Sequence, residues 1–466
     1  MKMYDRLYKE MVFPPMIMEL LNCPGLLRLR DVRMANNQFV SFPAFSTTSR
    51  YEHSLGVCYL AGVCAKELCL NERETLELMI AGLYHDVGTP PFAHAMEEVL
   101  QAKFGFDHEL NMKKLIIGNT GEFDGEFAQV YQGEGLKLRS LCQSKKAREL
   151  NLDPSRIAKI IAGDRSVPLS RLINGDEIDL DNIDNIFRAS SAMGLISDDC
   201  GETARKLAQS FILQNDKLFY NGFNKNEIIT WLKIRNLQYT AIYDSVDDFS
   251  YQTMIKKAIC LLLEDDNSSQ NLDLNSWRLT DSTLTNDYLL KNKNSAPIMR
   301  RVMLCKPFHC LGILYVSGKE ASRYINENLQ QIEAIASEYF ITTMGFSDKQ
   351  LQQININPVV TNFYPDKRNR VIKNKVILWN HEENINYDYD KSYGALLGLF
   401  TPLSNSNYKT LETGERKVVT FGQSQLKSLM DLLSNEILGD FKISVYGSKK
   451  NGENNSKTEQ RQLGLF

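Results

Sequence analysis

Four of the six histidines, His53, His85, His94 and His108, fall between residues 53 and 108. One is fused to an aspartate in "LYHDVGTPPFAHAMEE", residues 83–98, where Gly88, Pro90 and Pro91 break the chain just after the His85–Asp86 doublet. That run reads as a helix end entering a stiff loop. In "SRYEHSLGV", Arg50 and His53 are three apart and so share one helix face. The histidine can ligate a metal there while the arginine holds an anion beside it. His85 and Asp86 add two donors from a second helix end. A fourth must come from elsewhere, and "LINGDEIDLDNIDNIFRAS" (172–190) offers Asp176, Glu177, Asp179, Asp181 and Asp184. Most of these acids read as an acidic helix start followed by an Asp184–Arg188 pair. One acid facing the histidines completes a sphere of two imidazoles and two carboxylates, which suits Mn, Fe or Zn better than Mg or Ca. Cys305, His309 and Cys310 in "CKPFHC" lack a second cluster to complete four ligands.

The elements that must position these residues follow from the apolar spacing. "LELMIAGLYHD", "SRIAKIIAGD" and "YQTMIKKAICLLLEDD" repeat every three to four residues, so residues 1–265 read as helical. A polar linker is expected over 266–285. Residues 286–446 have mixed texture: "RVMLCKPFHCLGILYV" and "NKVILWN" read as strands and "SQLKSLMDLLSNEIL" as a helix. The expected class is therefore mainly α with a smaller C-terminal α+β lobe. Residues 447–466 are polar and read as a disordered tail. A net charge of −3 with 24% charged residues does not advertise nucleic acid. No apolar run reaches the roughly 18–20 residues of a membrane span, and the N-terminus lacks the apolar centre of a secretion signal. Nine scattered cysteines read as free thiols in a reducing cytoplasm.

The order H…HD…D resembles the HD-domain metal phosphohydrolases. The blocks "RYEHSLGVCYLAG", "HDVGTPPFAHAMEE", "DHE", "LINGDEIDLDNIDNIFRAS" and "IRNLQYTAIYDSV" are similar in order and spacing to the deoxynucleoside triphosphate triphosphohydrolases, both the sterile-alpha-motif/HD-domain and the bacterial dGTPase relatives. The likeness covers residues 15–265 and implies an HD-domain helical core. Residue by residue it implies His53, His85, Asp86 and Asp181 as ligands of one divalent transition metal, with Mg for the nucleotide. It implies Arg50 and Arg235 on the phosphates, Tyr243 along the sugar and phosphates, and Asp179 near the sugar. The implied products are a nucleoside and inorganic triphosphate. A nucleotide activator, a homo-oligomer (dimer or tetramer), control of dNTP pools and a role in anti-phage defence are also implied.

The pattern departs from the family at several points. A histidine that helps protonate the leaving oxygen is replaced by Thr89, which lines the substrate but does not titrate near neutrality. His94, with Glu97 as its orienting carboxylate, or else His108, takes that role. Asn185, Ala189, Asn182 and Met34 replace the family's groups around the sugar and phosphate. Asn22 and Arg30 fall where the family reads an activator guanine; an amide in place of a carboxylate both donates and accepts, so an activator with a different base is expected. The tail "QLGLF", with Gln462, Leu463, Leu465 and Phe466, resembles the peptide that docks on the bacterial DNA sliding clamp. Two other readings compete: an HD phosphohydrolase acting on nucleoside monophosphates or signalling nucleotides, and a catalytically weak nucleotide sensor or replisome adaptor.

Overall fold

A computed structural model describes residues 2–35, 40–117, 141–142, 144–197, 200–265, 272–352, 354, 356–368, 375–378, 381–383, 385, 393–410 and 416–447. The chain forms two compact units interleaved along the sequence. Met1–Gln238, Ala258–Met299 and Arg370–Asp388 make the first; Tyr239–Lys257, Arg300–Asn369 and Tyr389–Phe466 make the second. The class is the expected one, mainly α with a smaller α+β part.

The first unit is built on the helix Arg50–Glu67. Ser49 starts it: its hydroxyl accepts from Glu52 N while the Glu52 carboxylate accepts from Ser49 N, satisfying two donors that a helix start leaves open. The helix is apolar on most faces and buried accordingly, with Leu55, Val57, Cys58, Leu60, Ala61, Cys64 and Ala65 all in the core. The helix Glu72–Tyr84, capped by Asn71, packs against it. Gly82 sets how close the two come, because a Cβ there would lie 3.2 Å from Val57 C and from Cys58 N. The helix Leu180–Ala192 packs on the same central helix. A hairpin, Lys2–Asp5 with Lys9–Val12, and a four-stranded sheet complete the unit. In that sheet Phe211–Gln214 and Lys217–Asn221 pair antiparallel, and Lys217–Asn221 pairs parallel with Val376–Leu378.

Three expectations need correction. The linker expected over 266–285 belongs to the first unit wherever it is described. Leu274–Arg278 and Asp281–Thr283 are short helical turns, and Trp277, Leu279 and Leu284 are buried. The polar residues that suggested a linker are turn caps: Asp273 accepts from Asn275 N, and Thr280 from Thr283 N. "NKVILWN" does contain a strand, Val376–Leu378, but it pairs within the first unit and not in a C-terminal lobe. The run "RVMLCKPFHCLGILYV" is not one strand. A helix ends at Met303, and the strand starts only at His309, beyond Pro307.

The second unit is an antiparallel sheet in the order Lys442–Val445, His309–Ser317, Gly394–Thr401, Val360–Pro365. The helix Ala321–Met344, which the texture of the sequence did not announce, and the expected helix Gln423–Glu436 cover it. Leu314, Val316, Ile332, Phe340, Leu397, Leu399, Leu429 and Leu433 make the shared core. Among the described residues no helix is long and apolar enough to cross a membrane, and all nine cysteines are free thiols. Residues 448–466, including Gln462, Leu463, Leu465 and Phe466, lie outside the described residues.

One carboxylate inside the second unit carries a stability prediction. Glu333 accepts from Thr361 N at 2.9 Å and Asn357 Nδ2 at 2.7 Å, and pairs with Lys257 Nζ at 3.0 Å. Glu333→Leu leaves a buried N–H and a half-buried ammonium without their acceptor. It should cost about 2–4 kcal/mol in urea denaturation, whereas a loss below about 0.5 kcal/mol would place the variant with ordinary surface substitutions.

Candidate metal centre

The Ser49 cap places Arg50 and His53 one turn apart at the start of the central helix. The helix Glu72–Tyr84 ends with His85 as its C-cap residue, and His85 Nδ1 donates to Gly82 O at 2.8 Å. Because Gly82 lets that helix lie close, the rings of His53 and His85 meet edge to face, 5.0 Å between centroids. Asp179 caps the helix Leu180–Ala192, so Asp181 stands in its first turn and Asp184 one turn on. Gly56 admits that helix: a Cβ there would sit 1.9 Å from Asp184 Oδ1 and 2.5 Å from Arg188 Nη2.

These placements bring His53, His85 and Asp181 to one point. His53 Nε2 lies 2.8 Å from Asp181 Oδ1 and 3.2 Å from His85 Nε2; His85 Nε2 lies 3.6 Å from Asp181 Oδ1. Asp86 Oδ2 is next, 3.7 Å from His85 Nε2 and 3.9 Å from His53 Nε2. Ligands bound at about 2.1 Å to one cation sit roughly 3–3.5 Å apart, so the spacings fit a shared ion. Among the described residues His53, His85 and Asp181 form the one group of three whose donors converge this closely.

The protonation pattern supports the fit. His85 Nδ1 faces a carbonyl, which only accepts, so it carries the proton. His53 Nδ1 faces the Asp184 carboxylate at 2.7 Å and carries one too. In the neutral rings both Nε2 lone pairs therefore point at each other and at Asp181. That arrangement is repulsive unless a cation sits between them, and it is how outer partners set the tautomer of metal-binding histidines. Burial opposes a charged His53, but its bonds to Asp181 and Asp184 outweigh burial and push its pKa up to about 10. Burial likewise works against ionised Asp86 and Asp181; Arg50 and His85 hold the first well below the usual carboxylate range, and the histidines do so for the second.

A profile for the HD domain matches residues 50–161. That span is an HD domain. The chain is 31% identical over 204 residues to the deoxynucleoside triphosphate triphosphohydrolase SAMHD1 homolog of Dictyostelium discoideum, covering 41% of this chain and 36% of that protein. It is 37% identical over 100 residues to SAMHD1 of Bos taurus, covering 20% of this chain and 17% of that protein. An uncharacterised protein of Methanocaldococcus jannaschii is 23% identical over 346 residues, 72% of this chain and 65% of its own. The chain thus matches little more than a third of the Dictyostelium enzyme and under a fifth of the bovine one. Among solved structures, a hypothetical protein of Aquifex aeolicus aligns with a TM-score of 0.60 at 18% identity over 86% of this chain and 96% of its own. That likeness concerns the fold.

Around the HD-domain centre, several residues expected at the substrate make other contacts. Arg50 Nη1 bonds Asp86 Oδ2 at 2.6 Å. Thr89 Oγ1 donates to the other Asp86 oxygen at 2.9 Å, so this hydroxyl orients a carboxylate. Asp179 is not a free sugar contact: its oxygens accept from Asn182 N and Gly175 N at 2.7 and 2.8 Å, and it serves as a helix cap. Arg235 is buried with its guanidinium 6.0 Å from the Trp231 ring centre. Tyr243 belongs to the second unit, where its hydroxyl donates to Pro365 O and accepts from Lys367 N. Arg30 lies over the Tyr51 ring at 4.7 Å, and Asn22 is exposed. Glu97 links His94 and His108: Oε2 lies 3.0 Å from His94 Nδ1, and Oε1 bonds His108 Nδ1. Burial disfavours its charge, but the bonds from His108 and His94 hold the Glu97 carboxyl well below the usual carboxylate range.

The sequence offers Asp184 among the acids of 172–190, with a pairing to Arg188 as its plainest role. It does bind Arg188, at 2.9 and 3.1 Å, but it also accepts from His53 Nδ1 and from Tyr8 OH at 2.7 Å, and Asp5 binds Arg188 on its far side at 2.8 Å. The three-residue spacing of Asp181 and Asp184, which puts both on one helix face, was the available signal. Asp184→Asn should leave the helices in place yet weaken Mn2+ binding about 10–100-fold, read by calorimetric titration beside a thermal melt. An unchanged Kd would show that His53 needs no carboxylate behind it.

Proposed function

We propose that this protein is a metal-dependent hydrolase of nucleoside triphosphates, with deoxynucleoside triphosphates the favoured class, releasing nucleoside and inorganic triphosphate. The observation that carries the reading is the convergence of the His53 and His85 Nε2 atoms on Asp181 Oδ1, with both Nδ1 atoms committed as donors. His53, His85, Asp86 and Asp181 would hold the metal. A divalent ion held there would polarise a phosphoryl oxygen and make a water beside it more acidic. The likeness to SAMHD1 proteins supplies the substrate class.

The chain's own residues then have separate tasks. Asp184, fixed by Arg188 and Tyr8, keeps His53 turned with Nε2 outward. Arg50 and Arg235 are the cations assigned to the triphosphate; their guanidinium forks match phosphate oxygens. In the reaction, a water oxygen bonds to the α-phosphorus and the bond from that phosphorus to the 5′ oxygen breaks. The 5′ oxygen takes a proton from His94, which is replenished from solvent, and the water proton leaves to solvent. Glu97 holds His94 and His108 together for that transfer. Thr89 cannot serve as the acid, since its hydroxyl is already committed to Asp86. Regulation by a nucleotide, assembly into a homo-oligomer and control of dNTP pools belong to the same proposal and rest on the likeness alone.

The test is to incubate the purified protein with each dNTP and NTP plus Mn2+, singly and in mixtures, and to identify the products. Inorganic triphosphate in equal amount to nucleoside, lost in His85→Ala/Asp86→Ala, is the expected result. Orthophosphate from nucleoside monophosphates or signalling nucleotides would replace this reading with the other phosphohydrolase. Nucleotide binding with no turnover in any mixture would replace it with a sensor.

A further inference from the structure

We infer that Arg28 and Asp281 are positioning residues for the metal centre, acting by clamping the loop that joins Asp86 to His94. The inference rests on the metal reading of His53, His85, Asp86 and Asp181. Both residues lie outside the span matched by the HD domain, residues 50–161. The loop needs external support. Phe92 and Ala93 sit at φ of +52° and +46°, a region that side-chain-bearing residues adopt only when surroundings enforce it.

Arg28 is buried and donates to four main-chain carbonyls. Nη2 reaches Thr89 O at 2.6 Å and Val87 O at 3.2 Å; Nη1 reaches Leu279 O at 2.9 Å and Trp277 O at 3.2 Å. Its guanidinium also lies 5.3 Å from the Trp277 ring centre. One planar fork thus ties the residues just after the His–Asp doublet to the 277–279 turn, which a lysine's point-like ammonium cannot do. Two residues further on, buried Asp281 takes the other end of the loop. Its Oδ1 accepts from Phe92 N at 2.9 Å and its Oδ2 from Arg33 N at 3.1 Å.

The path to the metal is short. Thr89, whose carbonyl Arg28 holds, donates its hydroxyl to Asp86 Oδ1, while Arg50 takes Oδ2. The direction of the Asp86 carboxylate is therefore fixed through Thr89 by Arg28. An apolar side chain of similar volume would leave these four carbonyls without their donor. What the arginine adds is a fixed distance between two backbone segments.

The experiment compares Mn2+ affinity with metal-free stability in the full-length protein. Arg28→Gln and Asp281→Asn are measured beside Glu77→Gln, which disrupts a buried carboxylate that binds Arg73 and Arg156 away from this loop. Arg28→Gln should raise the Kd for Mn2+ about 10–100-fold and Asp281→Asn by a smaller factor, while Glu77→Gln, at a similar drop in metal-free Tm, stays within about twofold. If Arg28→Gln does not fold, Asp281→Asn decides alone. Wild-type Kd in both loop variants, or an equal loss in Glu77→Gln, overturns the inference. A wild-type protein that binds no Mn2+, or a His85→Ala/Asp86→Ala variant that binds it unchanged, overturns the metal reading itself.

Discussion

The centre depends on one imidazole held between two carboxylates. His53 is buried, with Asp184 on Nδ1 and Asp181 on Nε2, and the two aspartates stand one turn apart on a single helix. Such a sandwich requires the helix carrying the aspartates to lie almost against the backbone of the helix carrying the histidine. Gly56 is what permits that, since any Cβ there would occupy the position of Asp184 Oδ1. A buried carboxylate without partners would be costly; Asp184 has His53, Tyr8 and Arg188, and Arg188 in turn has Asp5. Burial and charge pairing thus fix which way His53 turns before any ligand arrives.

The residues that finish the site lie well outside the span recognisable as an HD domain. Asp181 and Asp184 follow it, Asp5, Tyr8 and Arg28 precede it, and Asp281 lies more than a hundred residues beyond it. The span 50–161 holds His53, His85 and Asp86 but not Asp181, on which the two histidines converge. Flanking segments supply Asp181, the Asp184 carboxylate that faces His53 Nδ1, and the Arg28 and Asp281 contacts to the loop.

His53 and His85, which converge with Asp181, stood out because histidine is scarce in this chain and its pairing with aspartate beside a Gly–Pro turn has few structural uses. The helical class and the helix Gln423–Glu436 were legible from apolar spacing. Other features left no such trace. Asp184 looked like the partner of Arg188, which it is; its three-residue spacing from Asp181 puts both on one helix face, but that spacing alone does not single out a histidine 131 positions away. Arg28 binds carbonyl groups, and carbonyls carry no sequence signal. Thr89 was expected at the substrate because of its place in the motif, yet a hydroxyl three residues after an aspartate can turn back onto it, and here it does. The polar stretch around 273–285 resembled a linker because turn caps and linkers share a composition; Trp277 and Leu284, which bury, were the discordant residues.

The central claim is that two imidazole nitrogens and carboxylate oxygens from separate segments bind one cation. Pulsed EPR of the protein loaded with one equivalent of Mn2+ tests it most directly. Two inequivalent 14N couplings, one lost in His53→Ala and the other in His85→Ala, are predicted. A spectrum without directly bound nitrogen, or one unchanged by either substitution, would contradict the account.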